Sequence, residues 1–122
     1  DGRAHRILHD APFNVAHVVR AFDDGDDFVL DYTAAPPWDE LAPDLENYGE
    51  SAFGSLARQQ VRRLRVDTRT GRLRNEVVLD VPMDFPVIDG RQRTRRARWA
   101  YLAGNTRPAM PGLFRAVTRL DL

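Results

Sequence analysis

With 122 residues, 43% of them hydrophobic and 30% charged, the chain has the size and balance of one soluble globular domain and is too apolar for a disordered tail. It has no Cys, which excludes disulfides, thiolate nucleophiles and zinc–thiolate sites, and no Lys, so all 18 basic residues are Arg. The net charge of zero hides two unlike halves: residues 1–50 hold twelve acids against three Arg, and residues 51–122 hold six acids against fifteen Arg. Such halves can neutralise each other within one fold, or each can meet a partner. No apolar run approaches the ~20 residues of a membrane span. No signal-peptide pattern opens the chain, so a cytoplasmic location is expected. The first residues, Asp1, Gly2 and Arg3, include no initiator Met, which reads as a chain cut from something longer.

In chain order the pattern is strand and turn. Val15, His17, Val19 and Ala21 alternate with Ala16, Val18 and Arg20, the period of two that marks a strand. Asp23-Asp24-Gly25-Asp26 breaks that run and Phe28 to Tyr32 resumes it, so residues 13–33 read as a β-hairpin. Pro36-Pro37 ends the hairpin. Trp38, Leu41, Leu45 and Tyr48 have helix-like spacing, but Pro43 limits residues 38–57 to a loop with a short helix. A second hairpin follows: strand Val61 to Val66, turn Asp67 to Gly71, strand Leu73 to Leu79. Pro82 and Pro86 bracket an extended segment, Arg91 to Arg96 is a basic loop, and Arg98 to Leu102 reads as a strand. Leu113 to Leu122 is the last strand. Arg63-Leu64-Arg65-Val66-Asp67 is echoed by Val117-Thr118-Arg119-Leu120-Asp121, and repeated strands with such turns suggest propeller blades, the last one truncated.

Few residues offer chemistry. His17 lies mid-strand among apolar neighbours, where an imidazole is either a satisfied core residue or a metal ligand. His5 and His9 flank a strand-like stretch that would set them ~13 Å apart, too far to share a metal. Asp23, Asp24, Asp26 and Asp27 cluster around Gly25 without the distal Glu of a calcium loop, and read as a solvated turn. Asp84, between Met83 and Phe85, is either a turn former or an acid that orients a metal-bound imidazole. Ser51 and Ser55 have no nucleophile elbow around them. Arg91 to Arg98 with Trp99 is either a nucleic-acid contact or a surface loop balancing the acidic first half.

Taken in order, these segments resemble the carotenoid oxygenase family. There, a strand carries an iron-binding His, followed after two residues by Asn, a small residue, an aromatic and an acid. Phe13 to Asp23 is similar, with Asp24-Gly25 and Val29-Leu30-Asp31 continuing the match. Leu64 to Asp67 with Thr70-Gly71 resembles the family's strand–turn element. Met83-Asp84-Phe85-Pro86 resembles its Glu-Phe-Pro motif, and Arg98-Trp99-Ala100-Tyr101 the strand after it. Phe114 to Leu122 resembles the strand that comes next, so the likeness spans nearly the whole chain.

The resemblance implies an all-β chain, with residues 1–122 a single partial segment of about two blades of a seven-bladed β-propeller. In that family four His from different blades hold one Fe(II). His17 would be one ligand, and Asp84 the acid that hydrogen-bonds a ligand His. The parent activity would be a non-haem Fe(II) dioxygenase that cleaves a C=C bond of a carotenoid, apocarotenoid or stilbene-like substrate. The implied partners are an apolar polyene or stilbene-like small molecule, O2 and the remainder of the propeller. Some relatives dock on membranes, so peripheral membrane contact is within the family's range; nucleic acid is not an expected partner, since the Arg-rich loop reads as surface. Phe13 and Phe85 are candidates to line the substrate path. Three departures stand out. Arg20 replaces the usual Asn and places a charge near the site. Asp84 replaces the usual Glu, a reach one methylene shorter that calls for a bridging water. The other three ligand His have no counterpart, so the chain alone is expected to be incomplete and inactive. The alternatives are a non-enzymatic truncated remnant and a small Arg-rich β interaction module.

Overall fold

The computed structural model describes residues 13–36, 59–92, 94–104 and 116–122. The expected helix within 38–57 and the residues His5, His9, Ser51 and Ser55 lie outside the described residues.

Two tight turns set the first sheet. Gly25 and Gly71 adopt φ of +66° and +73°, backbone conformations that only Gly enters without steric cost. They join β1 (Asn14–Asp24) to β2 (Asp27–Ala35) and β3 (Gln60–Asp67) to β4 (Leu73–Leu79). The Asp67 side chain closes the second turn by accepting the N–H groups of Arg69 and Thr70, each at 2.9 Å. The four strands pair antiparallel in sequence order. β5 (Met83–Val87), β6 (Trp99–Gly104) and β7 (Ala116–Asp121) form a second antiparallel sheet, with a short 3-10 turn at Gly90–Gln92. A four-stranded and a three-stranded meander are the partial-propeller arrangement that the repeated strand pattern predicts.

Strand alternation divides the first sheet into two faces. Val29, Asp31 and Thr33 of β2 share one face and are fully buried. That face meets the second sheet. Val19 and Val61 from one side cluster with Met83, Ile88, Ala100 and Leu102 from the other, so the core lies in the seam between sheets. The opposite face carries Tyr32, Leu64 and Val66, with Phe13 and Phe28 packed on them. Gly104 permits the seam to close: a Cβ there would sit 2.9 Å from Met83 Cγ and 3.0 Å from the Pro82 carbonyl oxygen.

The expected strict alternation in β1 does not hold. Its register on β2 slips between Val15 and His17 and again between Val18 and Arg20. These two β-bulges leave Ala16 and Val19 without opposite partners, so His17 and Val18 are both exposed while Val19 and Arg20 are both buried. β5 has a similar slip between Asp84 and Val87, where Phe85 adopts φ of +51°. A non-Gly residue in that region carries a strain of about 1–2 kcal/mol.

The unlike charge halves meet inside the fold. Arg20, Asp31, Arg63 and Glu76 stand opposite one another across β1 to β4. Asp31 accepts from Arg20 Nε at 2.6 Å and from Arg63 Nε at 2.6 Å. The bond to Asp31 raises the Arg63 pKa. Arg65 likewise joins Asp24 at 3.0 Å and Asp27 at 3.1 Å, with its pKa raised first by the bond to Asp24. Arg63 and Arg65, from the second half, thus bind acids of the first, which is internal neutralisation, while Arg20 binds Asp31 within the first half.

Candidate functional site

The bulges of β1 and β5 face each other across the seam and present His17 and Asp84. His17 Nδ1 lies 2.7 Å from Asp84 Oδ1. With Nδ1–H donating to the carboxylate, a neutral ring carries its lone pair on Nε2, on the side away from the acid. The exposures divide the same way: the His17 side chain is 48% exposed and that of Asp84 only 3%. A buried acid with an outward imidazole is the arrangement that prepares a His to bind a metal through Nε2.

Asp84 is held from several directions. Thr33 Oγ1 donates to Oδ1 at 2.7 Å, and Gln59 Nε2 donates to Oδ2 at 3.2 Å. Thr33 stands opposite His17 in the ladder, and its hydroxyl oxygen accepts the His17 backbone N–H at 3.1 Å. Phe85 packs beside the imidazole, ring centroids 5.3 Å apart. Val15 and Val18 on β1 and Phe85 and Val87 on β5 are exposed apolar residues. A cleft of about 450 Å³ continues along β1 and β5 past Val18, Ala21, Pro86 and Val87.

Sequence reasoning found His17 and Asp84, and the structure brings them together. It missed Thr33 and Gln59. Thr33 carried a readable signal, because it shares the buried period of two with Val29 and Asp31. Gln59 precedes its strand and carried none.

Two expectations are corrected. The shorter reach of Asp84 needs no bridging water, because the β5 bulge brings the carboxylate into direct contact. Arg20 does not charge the site, because it is buried, binds Asp31, donates to the Ala97 carbonyl and lies 4.8 Å from the Phe22 ring. Phe13 packs on Tyr32, on the face of the sheet opposite to Thr33.

The remaining candidates disperse. Asp24 and Asp27 bind Arg65, as turn acids do. Among the described residues of the Arg-rich loop, Arg91 pairs with Asp89 at 2.7 Å, Arg98 with Asp121 at 3.0 Å and Arg96 lies 3.7 Å from Asp24. Arg98 and Arg119 both lie over the Trp99 ring, at 4.5 and 4.4 Å from its centroid, where a base would have to stack. Among the described residues no group of three or more His, Asp or Glu could hold a metal.

The family model for retinal pigment epithelial membrane protein matches residues 2–122, and the chain belongs to that family. Solved structures agree on the fold. A cobalt-substituted ACO from Synechocystis is 21% identical, with a TM-score of 0.79 over 99% of this chain and 25% of its own. An ACO/RPE65 chimera in a trigonal crystal form is 22% identical, with a TM-score of 0.80 over 100% of this chain and 25% of its own. A point mutant of Synechocystis apocarotenoid oxygenase is 21% identical, again with a TM-score of 0.80, over 100% of this chain and 25% of its own. The chain thus spans about a quarter of the length of these structures. No curated protein matches it.

Proposed function

We propose that this chain is the part of a non-haem Fe(II) dioxygenase that supplies one iron ligand, His17, and its orienting acid, Asp84. The reaction is oxidative cleavage of a C=C bond in a carotenoid, apocarotenoid or stilbene-like substrate, giving two carbonyl products. The observation that carries the reading is the 2.7 Å bond from a half-exposed imidazole to a buried carboxylate. Family membership supports the reaction class. When bound, Fe(II) supplies activation of O2.

The chain's own residues have limited roles. His17 offers the Nε2 lone pair. Asp84 keeps the proton on Nδ1 and holds the ring plane. Phe85 offers an apolar ring beside the imidazole, and Val18, Ala21, Pro86 and Val87 line the neighbouring cleft, suited to a polyene and unsuited to a charged substrate. Residues 1–122 act as one partial propeller segment, and the remaining ligands and most of the substrate tunnel belong to other blades.

Iron content after anaerobic Fe(II) loading tests this, measured on the chain alone and on the chain joined to the missing blades. The expected result is no iron above a His17→Ala control for the chain alone. Near one iron per molecule is expected for the joined protein, lost together with polyene cleavage in His17→Ala. A joined protein whose iron content ignores His17→Ala rules the assignment out.

A further inference from the structure

Gln59 sits at the entrance to β3 and is 4% exposed. Its Nε2 donates to Asp84 Oδ2 at 3.2 Å, while its Oε1 is buried with no hydrogen-bond partner among the described residues. A buried acceptor left unpaired costs stability, and a Met of similar volume would carry no such cost. Packing therefore does not explain an amide at this position. What the amide offers is an uncharged donor. A guanidinium would hold Asp84 more strongly, but it would also offset the negative charge that keeps the proton on His17 Nδ1.

Thr33 does the same for the other oxygen. Its hydroxyl donates to Oδ1 at 2.7 Å, and it is fully buried. Because Thr33 Oγ1 also accepts the His17 backbone N–H, it ties the His17 main chain to the acid that holds the His17 ring. Both oxygens of Asp84 are thus fixed by neutral groups of the first sheet and its border.

We infer that Gln59 and Thr33 are positioning residues that hold the Asp84 carboxylate and thereby set the tautomer and ring plane of His17. The inference rests on the iron-ligand reading for its purpose, but the clamp itself is a property of the chain without metal. It also accounts for the shortened acid: two donors from the first sheet hold Asp84 where a direct bond to His17 forms.

The test is the His17 tautomer, read by two-bond 1H–15N correlation in 15N-His-labelled chain at a pH where imidazole is neutral. With three His in the sequence, His17→Ala assigns the signal. The native chain is expected to show one tautomer, protonated at Nδ1. Gln59→Met removes the donor and the unpaired acceptor together, so Tm should hold or rise while His17 becomes a mixture of tautomers. Thr33→Val should give the same mixture, and Thr33→Ser, which keeps the hydroxyl, should restore the single form. In the protein joined to the missing blades, Gln59→Met should weaken Co(II) binding about 10-fold. A single Nδ1–H tautomer in both Gln59→Met and Thr33→Val overturns the inference. So does a Gln59→Met variant that lowers Tm and leaves the tautomer alone. If Thr33→Val does not fold, Gln59→Met decides by itself. A tautomer that responds, in a protein whose iron ignores His17→Ala, would remove the iron reading and leave the positioning role standing.

Discussion

Replacing Asp31 by Leu removes a carboxylate that two guanidiniums share. Asp31 is fully buried, Arg20 is 2% exposed, and the Arg63 side chain is 20% exposed. Arg20 carries most of the effect. Its other contacts, the Ala97 carbonyl and the Phe22 ring, are neutral, so its charge would be buried without a counterion. Breaking a buried pair in this way costs about 3–5 kcal/mol. Arg63 reaches solvent and faces Glu76 across the ladder, so its share stays below about 1 kcal/mol. Against a typical total stability of ~5–15 kcal/mol, the single substitution removes a large part. The double variant Arg20→Met/Asp31→Leu takes away both buried charges and should cost only about 1–2 kcal/mol, a coupling of about 2 kcal/mol or more. Urea unfolding followed by Trp fluorescence reads this as a lower midpoint at constant slope. An Asp31→Leu cost under about 1 kcal/mol, or a double variant no better than the sum of its singles, would refute the argument.

Three further outcomes are expected. Gly104→Ala pushes a methyl into Met83 Cγ and the Pro82 carbonyl; a loss of about 1–3 kcal/mol should appear as a lower Tm. Leu102→Ala empties a fully buried position in the seam and should cost about 2–5 kcal/mol by denaturant unfolding. Asp89 accepts from the Arg91 guanidinium, which holds its carboxyl down at about 2 against an ordinary 3.8. Because the folded form binds this proton less readily, its contribution is present above the ordinary value and is lost as pH falls from there toward 2. A 13C carboxyl titration should show the midpoint return to the ordinary range in Arg91→Gln.

The sequence made the hairpins legible because Gly25 and Gly71 stand where a turn requires positive φ, between runs of clear alternation. The strand Leu73–Leu79 appears with the ends expected of it, and Trp99–Gly104 lies close to its predicted place. The β1 bulges were not legible. Nothing in Val15 to Arg20 marks an inserted residue, and a period of two puts Val19 and Arg20 on opposite faces, whereas both are buried. Arg20 shows the consequence: the motif resemblance places its charge near His17, whereas the register sets it opposite Asp31. Asp84 was identifiable only through its motif, because its partner lies 67 residues away. Gln59 was invisible, since an amide before a strand reads as ordinary surface until its burial is known.

The His17–Asp84 bond has a consequence for how such chains can be recombined. His17, Thr33 and Gln59 all belong to the first sheet or its border, and the carboxylate they meet begins the second. Sheets of this kind look like exchangeable modules, and the short stretch Asp80–Pro82 looks like the natural crossover point. A crossover there would part the imidazole from its acid while leaving every strand intact. Hybrids built at that point should fold without orienting His17, whereas an exchange that keeps residues 14–84 together should transmit the pair whole. The unit inherited here is a junction between blades, wider than either blade and narrower than both.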